Sequence, residues 1–138
     1  MSTLEYPTAK EIEHILKESQ TIAVVGLSEN PSRTSYQVSK VMQNFGYKII
    51  PVNPKADEVL GEKAVSSLLD IDEEVDIINV FRRQEHLPAI AEEAAKTDAD
   101  VFWTQLDLEN EEAYHIAKEA GLTVVMDKCI KVEREKLQ

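Results

Sequence analysis

Five short apolar runs recur along the chain, and each stops at a glycine or a polar residue. They predict strands over 21–26, 48–52, 75–80, 100–103 and 122–126. Runs that are apolar nearly throughout, rather than alternating, belong to strands covered on both faces. Between them the spacing changes to that of a helix. Thr8 with Glu11 three residues on forms a capping-box signature ahead of Ile12, Ile15 and Leu16. Val38, Val41, Met42 and Phe45 repeat at helical spacing and Gly46 closes that segment. Leu87, Ile90, Ala91, Ala94 and Ala95 make a third stripe, with Pro88 tolerated in its first turn. Asn110 caps a fourth, whose inner face is Ala113, Ile116, Ala117 and Ala120 and whose end is Gly121. Residues 56–72 are less regular, with a turn at Leu60-Gly61-Glu62 and a short helical turn at 66–69. Residues 1–7 are expected to be a loose arm, and the charged tail from Ile130 to end as a short helix.

One crossover between each pair of strands means parallel βαβ units with right-handed connections. The expected architecture is one α/β domain over residues 1–138, a doubly wound parallel five-stranded sheet with helices on both faces. A chain of 138 residues is long enough to bury a core without staples. The single cysteine leaves no internal disulfide framework. No apolar run approaches a membrane span and no signal peptide opens the chain, so the expected location is cytoplasmic.

The formal net charge of −11 argues against nucleic acid and anionic membranes as partners, because both need a basic face. A small anionic ligand is compatible if the few cations are gathered in one place. Three of the four arginines, Arg33, Arg82 and Arg83, follow predicted strands directly, as do Lys55 and Lys128. In a doubly wound sheet, ligands sit outside the carboxyl ends of the strands. Those ends here read Gly26-Leu27-Ser28, Asn53-Pro54-Lys55, Phe81-Arg82-Arg83, Thr104-Gln105 and Asp127-Lys128-Cys129.

The stretch 21–35, TIAVVGLSENPSRTS, has the form of a phosphate cradle: buried strand, glycine, polar loop, helix start. Ser28, Arg33 and Ser35 are its side-chain donors. A tight turn leading to a helix, with Arg33 solvated, would show the same residues. A protein that binds NAD wants an acidic residue about 20 positions past the glycine loop, to accept from the ribose hydroxyl. Asn53, Pro54 and Lys55 stand there instead, and two of the three fingerprint glycines are missing. Lys55 suits a nucleotide with an extra ribose phosphate, which means NADP or coenzyme A; a solvated lysine in a turn is the plain alternative. Arg82 is a candidate ligand contact, whereas Arg83 reads as outward-facing beside a helix start. Gln105 suits an amide-rich ligand, and Trp103 reads as packing. Cys129 lies beside Lys128 either as a nucleophile or, more simply, as a small buried residue. No triad, carboxylate pair or metal-ligand spacing is visible, so binding is favoured over catalysis.

AVVGLSENPSRTSYQV, IIPVNPK, VLGEKAVSSL, VDIINVFRR, VFWTQL and GLTVVMDKCIKVE together resemble the stand-alone CoA-binding proteins, relatives of the CoA-binding domain of succinyl-CoA synthetase alpha subunits. The likeness runs from Thr21 to Glu133. It implies a Rossmann-like fold that binds coenzyme A or an acyl-CoA, with no assigned reaction. By position, Gly26, Leu27, Ser28, Arg33 and Ser35 would hold the pyrophosphate. Asn53, Pro54 and Lys55 would line the adenosine and its 3′-phosphate. Val80, Phe81 and Arg82 would flank the nucleotide, Gln105 would face the pantetheine, and Cys129 is expected near the ligand's thiol. The phosphohistidine and ligase segments of the synthetase have no counterpart here. An NADP-dependent oxidoreductase and a CoA-responsive module that recruits a protein partner stand as alternatives, and a homodimer is left open.

Overall fold

Alternation along β1 (Thr21–Val25) divides the core in two. Ile22 and Val24 point into a cluster with Ile12, Leu16, Val38 and Met42, while Ala23 and Val25 point into another with Ile90, Ala94, Phe102 and Ala117. In the computed structural model, which describes residues 4–137, helices α1 (Ala9–Glu18) and α2 (Thr34–Asn44) supply the first cluster. Its remaining helix is α5 (Ile130–Glu135). The second cluster is covered by α3 (Leu87–Ala95) and α4 (Glu111–Glu119). A sheet buried on both faces needs apolar residues at successive positions, which is why the strands carry unbroken runs.

The strands after β1 are β2 (Lys48–Val52), a hairpin of β3 (Glu58–Val59) and β4 (Glu62–Lys63), then β5 (Ile77–Val80), β6 (Val101–Thr104) and β7 (Thr123–Val125). Five of them form one parallel sheet in the order β2-β1-β5-β6-β7. The order reverses between β1 and β5, so the crevice expected of a doubly wound sheet opens above those two strands. Pro51 fits on the edge strand because its carbonyl accepts outward, from the Val65 N–H at 3.0 Å, so its missing N–H interrupts no bond to β1.

The crossover from β2 to β5 has the expected turn, here joining the two short strands β3 and β4. Leu60 and Gly61, with φ of 55° and 78°, make a two-residue hairpin turn, and Gln43 Nε2 fixes it by donating to the Leu60 carbonyl at 3.0 Å. Residues 4–7 are not loose, which corrects the expectation for that part of the arm; residues 1–3 lie outside the described residues. Tyr114 Oη donates to the Glu5 carbonyl at 2.9 Å and accepts from the Glu5 N–H at 3.1 Å. Tyr6 donates to Glu109 Oε2 at 2.5 Å. Burial first, and then that bond, hold the Tyr6 hydroxyl far above the usual phenol range, so it stays a donor.

The α1 capping box is formed: Glu11 N–H donates to Thr8 Oγ1, and Thr8 N–H to Glu11 Oε1. The bond from the Thr8 backbone, followed by its side chain, lowers the Glu11 pKa. A folded-state pKa below the unfolded one adds stability above the ordinary carboxylate range, and that stability is lost as pH falls through the lowered value. Thr8→Ala is expected to reduce Tm by about 3 °C at pH 7, and by less near pH 3, in paired thermal melts.

Candidate functional site

Gly26 sets the geometry of the crevice. Its φ of +87° is open to glycine, and a Cβ there would stand 2.8 Å from the Phe81 carbonyl oxygen and 2.9 Å from Arg82 Cδ. The end of β1 and the end of β5 therefore touch, and the Arg82 stem lies on the glycine. Beyond Gly26 the loop is closed by its own side chains. Ser28 N–H donates to Ser35 Oγ at 3.0 Å, Asn30 N–H to Ser28 Oγ at 3.0 Å, and Ser32 N–H to Asn30 Oδ1 at 3.0 Å. A hydroxyl that accepts one of these bonds still has its own proton to give, so Ser28 and Ser35 both remain donors.

The start of α2 differs from those of α1 and α4. Thr8 caps α1 with Glu11 in its first turn; Asn110 caps α4 ahead of Glu111 and Glu112. At α2 the cap position is Arg33, no side-chain cap bond exists, and the first turn carries no acid. Free N–H groups, the positive end of the helix dipole and a cation coincide there, an arrangement that suits an anion. Gly26, Ser28, Ser32, Arg33, Thr34, Ser35 and Phe81 enclose a cavity of about 390 Å³ at this point. A second, of about 400 Å³, shares Thr34 and Phe81 with it and continues past Arg82, Arg83, Gln105, Leu106, Asp107 and Leu108. The two form one groove across the carboxyl edge.

Arg33 and Arg82 line the groove, and Lys55 follows Asn53, which ties its loop to the first by donating from Nδ2 to the Leu27 carbonyl at 2.9 Å. Among the described residues none of Arg33, Lys55, Arg82 and Arg83 is paired with a carboxylate; the ion pairs of lysine lie at Lys17, Lys48 and Lys136. The fourth arginine, Arg134, is spent on the fold, 4.4 Å over the Phe45 ring with Nε donating to Tyr47 Oη. The opposite edge is acidic: a larger cavity of about 470 Å³ there is bordered by Asp72, Glu73, Glu74 and Asp98, with Lys96 as its one cation. Each cavity of the carboxyl-edge groove is smaller than this one, but the groove is bordered by three arginines, Arg33, Arg82 and Arg83.

The expected residues sort into three groups. Gly26, Ser28, Arg33, Ser35, Phe81, Arg82 and Gln105 border the groove, whereas Pro54 and Lys55 are exposed on the loop after β2 and border neither cavity. Asn53 spends its side chain on the loops, with Oδ1 accepting from Lys55 N–H at 2.9 Å, so it shapes the rim rather than presenting free polar atoms. Leu27 and Val80 are fully buried, and only their backbones face the edge. Cys129 is 8% exposed within the α5-side cluster and borders neither cavity, so the structure does not bring its thiol to the groove. Trp103 is packing, with its indole N–H donating to the Lys128 carbonyl at 2.9 Å. Arg83 is exposed at the cap position of the short helical turn Gln84–His86, as read from the sequence, and also borders the second cavity. Ser32, Thr34, Leu106, Asp107 and Leu108 also border the groove and were not among the expected residues; the loop after β6 gives no spacing from which to choose the last three.

Gln105 adds an observation of its own. Its Oε1 is buried and has no hydrogen-bond partner among the described residues. A buried acceptor left unsatisfied costs about 1–3 kcal/mol, which a ligand N–H would recover.

The fold is that of a Rossmann-like α/β domain, and comparison with known sequences says to which family it belongs. The chain belongs to the CoA binding domain family, whose model matches residues 20–135. It is 61% identical over 129 residues to the uncharacterized protein YneT of Bacillus subtilis (strain 168), covering 94% of this chain and 96% of that protein. A hypothetical protein from Pyrococcus horikoshii OT3 has the same fold, with a TM-score of 0.92, 36% identity and 99% of each chain covered. The ADP-forming acetate–CoA ligase of Methanocaldococcus jannaschii is 31% identical over 77 residues, 56% of this chain but 11% of that protein's length. Among the described residues no helix is long and apolar enough to cross a membrane.

Proposed function

We propose that the protein binds coenzyme A, or an acyl-CoA, along the carboxyl edge of its sheet. One observation carries the reading: groups of different chemistry succeed one another across β2, β1, β5 and β6 in the order of the parts of that ligand. Lys55 on the β2 loop suits the 3′-phosphate of the adenosine. The uncapped start of α2, with Arg33, Ser28 and Ser35, suits the pyrophosphate. Phe81 and Arg82 come next, and the unpartnered Gln105 Oε1 suits an amide N–H of the pantetheine arm. Four neighbouring strands span about 14 Å, so an extended ligand rather than a compact one fits this order. The groove offers donors, cations and apolar walls, which suit the successive parts of such a ligand.

Calorimetric titration tests the assignment. CoA is expected to bind about five- to tenfold more tightly than dephospho-CoA, a ratio fitting one exposed lysine–phosphate contact. Lys55→Ala should bring the two Kd values together by weakening CoA alone. Equal affinity of the unmodified protein for both nucleotides would remove Lys55 from the site.

A further inference from the structure

The far end of the groove has a different character from the phosphate end. Past Gln105 its wall is Leu106, Asp107 and Leu108. Leu106 is 51% exposed, one of only three large apolar side chains so open among the described residues. Leu108 is half-buried beside it, packed against the α3/α4-side cluster. The loops after β6 and β7 are acidic here, although Arg82 and Arg83 border the same cavity. Asp107 N–H donates to Asp127 Oδ1 at 2.7 Å, which brings the loops after β6 and β7 together, and Glu109 follows two residues on. No cation pairs with the Asp107 or Asp127 carboxylates among the described residues.

Resting on the reading of the groove as a CoA site, we infer that it selects the acyl group: it accepts thioesters of uncharged, apolar acids and disfavours those of dicarboxylic acids. With the phosphates held at Arg33 and Lys55 and the pantetheine amide at Gln105, the thioester emerges over Leu106. An alkyl chain there covers an exposed leucine and gains by leaving water. A terminal carboxylate in the same place meets Asp107 and Asp127 and is repelled. Arg83, which borders the same cavity, opposes this selection, as does Arg82 where a phosphate does not occupy it.

Titrations of CoA, acetyl-CoA, hexanoyl-CoA and succinyl-CoA at one ionic strength decide the matter. Hexanoyl-CoA is expected to bind about tenfold more tightly than acetyl-CoA, taking roughly half of the full burial value for each added methylene. Succinyl-CoA should bind about fivefold more weakly than acetyl-CoA, the size of one like-charge contact near the surface. Leu106→Ser should flatten the chain-length series. Asp107→Asn, a residue type that tolerates the φ of +67° at this position, should bring succinyl-CoA to within about twofold of acetyl-CoA. Equal affinity for acetyl-, hexanoyl- and succinyl-CoA, with CoA itself bound, overturns the selection and leaves the CoA reading standing. So does a succinyl-CoA preference that disappears in Arg83→Ala. Failure of CoA and all its thioesters to bind refutes the CoA reading itself, and the inference with it.

Discussion

Gly26→Ala is expected to destabilise the protein by about 2–4 kcal/mol and to remove CoA binding, although alanine adds a single methyl group. Two costs combine. A backbone held at φ of +87° is strained for any residue with a Cβ, by about 1 kcal/mol. The methyl group would also sit 2.8 Å from the Phe81 carbonyl oxygen and 2.9 Å from Arg82 Cδ. The arginine stem can swing away, but the carbonyl belongs to the end of a strand paired on both sides. Relieving that overlap means separating β1 from β5, at about 1–3 kcal/mol. The crevice lies between those strands, so the change that lowers stability also displaces Arg82 from the groove. Urea denaturation and calorimetry on the same sample test both halves. A midpoint within experimental error of the unmodified protein would mean that the two strand ends are not in the contact described.

What could be read in advance followed from physical signals that local sequence carries. Five apolar runs marked the strands, and the crossover between each pair implied that they run parallel. The starts and ends shifted by one or two residues: the third strand begins at Ile77 rather than Val75, and the fourth runs on to Thr104. Thr8-Glu11 and Asn110 announced helix starts because the capping groups are adjacent in sequence. The hairpin at 58–63 was visible only as a turn, since strands of two residues, Glu58-Val59 and Glu62-Lys63, are too short to show alternation. The docked arm was hidden for a different reason. Tyr114 and Glu5 are bonded across 109 positions, and nothing near either residue signals the other.

For the site, the sequence identified the strand ends but not the direction of each side chain. Ser28 and Arg33 reach the groove, whereas Leu27 between Gly26 and Ser28 goes into the core. Consecutive loop residues diverge in this way because neither the two-residue nor the 3.6-residue period applies there. Cys129 was placed by proximity to the last strand, yet it heads α5 and turns inward with the helix it begins. Asn53 shows a third limit: a polar residue at a strand end can serve another loop, here the Leu27 carbonyl, before any ligand.

Arg82→Ala should raise the Kd for CoA about tenfold while leaving stability within about 0.5 kcal/mol, the opposite profile to Gly26→Ala. The guanidinium is exposed and makes no ion pair or hydrogen bond within the described residues, so folding does not depend on it. An unpaired cation beside a cradle of free N–H groups contributes through its charge-assisted bond to a phosphate. Arg82→Lys keeps the charge but loses the paired donors, so its Kd should fall between the two. Because the contact is solvent-exposed, its contribution should shrink as salt rises: the ratio of variant to unmodified Kd is expected to be larger at 50 mM than at 500 mM sodium chloride, about one Debye length being far shorter at the higher concentration. An unchanged Kd in Arg82→Ala at low salt would put the ligand's phosphates out of reach of β5, and the order of chemistry across the sheet edge would then have to be abandoned.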